Sequence, residues 1–136
     1  MKELTIAATV ENIEVVTDFV NEQLEAFDCS MKVQMQIDIA IDEIFGNIAQ
    51  YAYTPEIGEA TVRIDVTNDP LTAVITFIDK GVPYDPLTNE DPDTTLSAEE
   101  RGIGGLGIFM VKKTMDNITY EYKDGQNILA IKKSLM

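Results

Sequence analysis

Three short stretches of this chain carry side chains able to do chemistry. The first is Asp42-Glu43-Ile44-Phe45-Gly46-Asn47. Glu43 and Asn47 lie four apart, which on a helix puts them on one face. An asparagine carbonyl is a hard oxygen ligand of the kind Mg²⁺ takes, with waters completing the shell. A carboxylate one turn earlier can orient or deprotonate a nucleophile. The plainer reading is an amphipathic helix with ordinary polar residues at its boundary.

The second stretch is Asp79-Lys80-Gly81-Val82-Pro83-Tyr84-Asp85-Pro86, directly after a strand-like run. A carboxylate at a strand end can accept a hydrogen bond from an exocyclic amine such as adenine N6. Gly81 lets a ring approach the backbone. A simple strand-terminating turn explains the same residues. The third stretch is Arg101-Gly102-Ile103-Gly104-Gly105-Leu106-Gly107-Ile108, with glycine at four of the six positions from 102 to 107. Backbone N–H groups there, at the start of a helix, make an anion site suited to phosphates. Arg101 and Lys112 or Lys113 can add positive charge. No Gly-Lys-Ser/Thr follows, so it is not a P-loop, and the βαβ setting of a dinucleotide fingerprint is missing. A flexible hinge is the alternative.

Composition removes whole classes of function. The chain has 136 residues, no histidine and one cysteine. That leaves no Ser-His-Asp triad, no Cys-His pair and no histidine zinc site. Cys29 reads as a small buried or half-buried residue of a reducing cytosol, which makes a cytoplasmic protein the expectation. The formal charge of −14 argues against direct nucleic-acid binding, which needs clustered Lys and Arg. It suits either plain solubility or an acidic face that meets a basic partner. No apolar run approaches the ~18 residues of a membrane span.

Periodicity supplies the elements that must position the three stretches. Residues 3–9 alternate as a strand, and Thr9 is a candidate cap for a helix from Val10 to about Phe27. Asp28-Cys29-Ser30 breaks it, with Ser30 as N-cap of a second helix from Met31 to about Tyr53. Pro55 and Gly58 end that helix. Ala60–Val66 and Leu71–Ile78 form a hairpin across Asn68-Asp69-Pro70. Residues 79–107 are a long loop with a helical turn near Asp85-Pro86-Leu87. Loops this long inside a compact domain are usually functional. A short helix over Gly107 to about Thr114 and a hairpin of Ile118–Tyr122 with Ile128–Lys132 finish the chain. The order β-α-α-β-β-loop-α-β-β predicts one domain over 1–136. Its fold class is α/β (α+β), a two-layer sandwich whose mixed, mostly antiparallel sheet carries helices on one face.

The three stretches, in this order, resemble the N-box, G1 box and G2 box of the GHKL ATPase superfamily. Glu43 through Asn47 matches the first, Asp79-Lys80-Gly81 the second and Gly102 through Gly107 the third. The short length, the Asp- and Pro-rich loop and the Gly-Gly-Leu-Gly-Ile run resemble the anti-sigma factor serine/threonine kinases within it. Tyr51 stands where many relatives carry a histidine. The resemblance implies a Bergerat ATP-binding fold with a flexible ATP lid at about 86–104. It implies Asn47 as Mg²⁺ ligand, Glu43 as catalytic base, and Asp79 with Gly81 as the adenine site. Arg101, Gly102, Gly104, Gly105, Leu106 and Gly107 are the implied phosphate and lid residues. ATP and Mg²⁺ are the implied cofactors. The implied partners are a STAS-domain anti-anti-sigma protein, phosphorylated on serine or threonine, and a sigma factor held by a homodimer. The competing reading is a regulatory module of the same fold that holds a partner without catalysis.

Overall fold

The computed structural model describes residues 1–68, 70–88 and 105–135. Strand β1 covers Lys2–Ala7, and a 3₁₀ turn at Val10–Asn12 leads into α1 (Ile13–Leu24). After a second 3₁₀ turn, α2 runs over Met31–Asn47 and continues as a π-helical turn over Ile48–Ala52. The β2–β3 hairpin (Glu59–Thr67, Thr72–Asp79) precedes a 3₁₀ turn at Pro86–Thr88. Helix α3 spans Gly105–Thr114, and β4 (Asn117–Lys123) and β5 (Gln126–Ser134) close the chain.

The five strands form one sheet in the order β1-β2-β3-β5-β4. Every pairing is antiparallel. The expected mixed, mostly antiparallel sheet is therefore antiparallel throughout among the described residues. The β2–β3 and β4–β5 hairpins join neighbours by short turns, which require antiparallel pairing, while α1 and α2 lie between β1 and β2 and α3 lies between β3 and β4. The β4–β5 turn places Asp124 at φ 54° and Gly125 at φ 78°. Positive φ at both central residues is the type I′ geometry that matches strand twist.

Alternation decides which sheet face is covered. Val62 and Ile64 of β2, Ala73, Ile75 and Phe77 of β3, and Leu129 and Ile131 of β5 are buried. They meet Val16, Val20 and Leu24 of α1, Ile37, Ile41, Ile44 and Phe45 of α2, and Val111 of α3. Each of the larger of these side chains contributes about 1.5–3 kcal/mol by burial. The other face is polar: Thr5 and Thr61 share a hydroxyl hydrogen bond at 2.9 Å, and Arg63 Nε donates to Glu3 at 2.6 Å.

Helix ends follow local chemistry with one exception. The Ser30 hydroxyl caps α2 by accepting from the Val33 amide at 3.2 Å. Asp28, in the left-handed region at φ 53°, stops the preceding helical stretch. Thr9 has extended backbone but makes no capping hydrogen bond. The junction is held instead by Asn12, whose Nδ2 donates to the Ala7 carbonyl at 2.8 Å. The second helix does not reach Tyr53 as a regular α-helix. The Ile48 amide bonds both the Ile44 and Phe45 carbonyls, and the chain widens into the π turn. Among the described residues no helix is long and apolar enough to cross a membrane.

Candidate active site

The π turn and the end of β3 are locked together by backbone. The last carbonyls of a helix lack intrahelical partners. Here the Ala52 carbonyl accepts from the Val82 amide at 3.0 Å. Gly81 passes so close that a Cβ on it would overlap the Ala52 carbonyl group. The Tyr53 hydroxyl adds a second tie, donating to the Glu59 carbonyl and accepting from the Lys80 amide, each at 2.7 Å. Burial raises the Tyr53 phenol above its ordinary range. These ties bring the first two motif stretches to one end of the sheet.

A pocket opens there. Its apolar walls include Ile44, Ile48, Phe77, Val82, Ile108 and Leu129. Asn47, Asp79 and Asn127 bring polar atoms to it, and Tyr51, Tyr84 and Tyr120 line it as well. Asp79 is only 5% exposed. Its Oδ1 accepts from the Gly81 amide at 2.9 Å and from Asn127 Nδ2 at 2.9 Å. Among the described residues both of its side-chain hydrogen bonds fall on Oδ1, which leaves Oδ2 for a ligand.

Glu43 and Asn47 share one face of α2. Asn47 Nδ2 donates to Glu43 Oε1 at 3.3 Å, so the Asn47 carbonyl oxygen turns away from the carboxylate. Burial raises the Glu43 carboxyl above its usual range, the Asn47 hydrogen bond draws it back, and the Asp42 charge pushes it up again. Across from it, Gly107 in the first turns of α3 leaves space that the Glu43 carboxylate fills. Helix α3 begins at Gly105, two residues earlier than the sequence suggests, so Gly105, Leu106 and Gly107 contribute its unpaired first-turn amides. Lys112 and Lys113 lie in the last turn of α3 instead, where Lys113 Nζ sits 5.3 Å from the Phe109 ring centre. Arg101, Gly102 and Gly104, and the expected lid from residue 89 onward, fall outside the described residues.

This arrangement suits a purine nucleotide with a hard divalent ion. The apolar lining can cover a ring, and a carboxylate oxygen can take an amine. Among the described residues no cluster of three or more acidic or thiol groups forms a metal cage. A single amide oxygen such as Asn47 Oδ1 fits Mg²⁺, which keeps waters and draws further ligands from phosphates.

Residues 6–133 match the histidine kinase-like ATPase domain family. The chain belongs to that family. It is 24% identical over 102 residues to the serine/threonine-protein kinase BtrW of Bordetella bronchiseptica, covering 75% of this chain and 71% of that protein. It is 30% identical over 98 residues to the serine-protein kinase RsbW of Bacillus mycoides, covering 69% of this chain and 60% of RsbW. The match thus spans less than two thirds of that RsbW. Among solved structures, the histidine kinase AdeS of Acinetobacter baumannii aligns with 99% of this chain and 69% of its own, at 13% identity and a TM-score of 0.47.

Sequence reasoning missed Asn127, Tyr120, Tyr84 and Tyr53. For Asn127 a signal existed. It stands in phase with Leu129 and Ile131, the buried positions of β5. A polar residue on the core phase of a strand asks for partners.

Proposed function

We propose that this protein is an ATP-dependent serine/threonine kinase of the anti-sigma factor type, acting on a STAS-domain partner and holding a sigma factor as a homodimer in the cytoplasm. The observation that carries the reading is the pairing of Glu43 and Asn47 against Gly107, beside a pocket that contains Asp79. Kinship with BtrW and RsbW supports the choice of a hydroxyl on serine or threonine as acceptor.

Asp79 Oδ2 accepts from the exocyclic amine of adenine, while Ile44, Ile48, Phe77 and Leu129 exclude water from the ring. Asn47 Oδ1 would hold Mg²⁺, and the first-turn amides of α3 would cradle phosphate oxygens. When bound, Mg²⁺ neutralises phosphate charge, the main demand of phosphoryl transfer. Glu43 takes the proton of the attacking hydroxyl as its oxygen bonds to the γ-phosphorus. The bond from that phosphorus to the β–γ bridging oxygen breaks and ADP leaves. The raised carboxyl makes Glu43 a better base than an exposed glutamate. Arg101, Gly102 and Gly104 complete the phosphate contacts in this reading. The charge of −14 suits a sigma factor with a basic surface.

Calorimetric titration with Mg-ATP and Mg-GTP tests the first half. Transfer of labelled γ-phosphate to a STAS-domain protein tests the second. Selective ATP binding with transfer to serine or threonine is expected. ATP binding without transfer to any STAS protein would overturn the kinase and leave a nucleotide-responsive binding module.

A further inference from the structure

Asn127 carries more hydrogen bonds than any other side chain among the described residues, and the motifs that resemble a nucleotide site do not include it. It is 6% exposed. Its Nδ2 donates to Asp79 Oδ1 and to the Val82 carbonyl, each at 2.9 Å, and lies 3.5 Å from the Gly81 carbonyl. Its Oδ1 accepts from the Tyr84 amide at 3.1 Å and from the Tyr120 hydroxyl. The amide orientation is unambiguous, because the Tyr84 N–H can only donate and the Val82 carbonyl can only accept.

A side-chain amide offers two donors and two acceptor lone pairs. All four are used, so Asn127 has nothing left for a ligand although it lines the pocket. Its role is to position. With Gly81, it fills both lone-pair directions of Asp79 Oδ1, so the carboxylate cannot rotate without breaking two hydrogen bonds. The same side chain pins Val82 and Tyr84, two other lining residues, to β5. One residue thus fixes both the acceptor and the wall beside it.

We infer that Asn127 is the positioning residue for base selectivity, holding Asp79 so that its second oxygen is a pure acceptor that takes a 6-aminopurine and refuses a 6-oxopurine. The inference rests on the nucleotide reading above. A purine with an oxygen at position 6 meets that carboxylate acceptor to acceptor, and a site built for one polarity leaves groups unpaired with the other.

The test uses the whole chain and two variants. Asn127→Leu keeps size and removes all four hydrogen bonds. Asn127→Asp keeps the acceptor used by Tyr84 and Tyr120 but sets an oxygen against Asp79 Oδ1. Two carboxyls that close share a proton. Asp79 then loses the donor that fixed it and no longer presents a held acceptor. Affinities for Mg-ATP and Mg-GTP are measured by calorimetry, with folding checked by circular dichroism and thermal melting. The ATP:GTP affinity ratio is expected to fall at least tenfold in both variants. A ratio within twofold of the parent in a folded variant overturns the inference. So does failure of both variants to fold, which would make Asn127 purely structural. A parent protein that binds ATP and GTP alike overturns the inference while nucleotide binding stands. A parent that binds neither overturns both.

Discussion

The Glu43 carboxylate occupies the volume that a Cβ on Gly107 would need. The contact joins the last turns of α2 to the start of α3, the two helices whose motif residues face each other. It makes the glycine a requirement of the carboxylate rather than of the backbone, since Gly107 sits within a regular helix where alanine is favoured. A carboxylate is the movable end of a flexible side chain. Gly107→Ala is therefore expected to fold with a melting temperature close to the parent, yet to move Glu43 off its position. Transfer to the partner should drop by about 10²-fold or more, the usual loss when a general base is misplaced. Thermal melting and a labelled-phosphate assay together check this. Full transfer activity in the folded variant would remove Glu43 from the role of base.

Gly81→Ala should behave in the opposite way. Its added Cβ would meet the carbonyl of Ala52, and backbone cannot step aside as a carboxylate can. The π turn and the loop after β3 must separate, which disturbs the Ala52–Val82 hydrogen bond and the pocket wall. A loss of about 1–3 kcal/mol is expected, the range for overpacking a tight site. Chemical denaturation measures it. Stability equal to the parent would show that the junction is looser than the hydrogen bond implies.

Much of this was legible in the residues. Ile37, Ile41, Ile44 and Ile48 follow one helical face, and Val62 and Ile64 alternate, so the helix-on-sheet layering could be read directly. Other features depended on partners distant in sequence. Nothing local in Ile48–Ala52 announces a π turn. It is tied in by the Val82 amide, 30 residues away in the chain. Thr9 carries the right residue type for a cap, but the Asn12 amide bonds the Thr9 backbone carbonyl and not its hydroxyl. Asn127 lies one residue outside the strand drawn from β-branched and apolar residues alone, and its neighbours arrive from β3, β4 and the loop between them.

The roles proposed for Asn47 and Glu43 differ, and single substitutions should separate them. Asn47→Ala removes the amide oxygen proposed for the metal and is expected to lose Mg²⁺-dependent ATP binding while keeping the fold. Glu43→Ala is expected to bind ATP and lose transfer. Calorimetry with and without Mg²⁺, beside the transfer assay, distinguishes them. Normal ATP affinity and turnover in folded Asn47→Ala would dismiss the metal assignment.

The raised Glu43 carboxyl gives a pH signature that does not depend on finding a partner. Its ordinary value is 4.5, and burial is the first cause of the increase. The folded protein then holds a proton that the unfolded chain has already released. Between those two values stability must fall as pH rises, because ionising the half-buried carboxyl disfavours the folded state. The neutral analogue Glu43→Gln escapes this. It should melt above the parent at pH 7, with the gap closing as pH falls below the ordinary carboxylate value. The Asn47 contact survives, because a glutamine oxygen still accepts. In the transfer assay the parent should show an acid limb displaced above the range of exposed glutamates, and Glu43→Gln should have no such limb. A melting difference that stays constant from pH 7 down to about pH 4 would show that Glu43 is not destabilised by its ionisation, and with it the physical case for a tuned base would go.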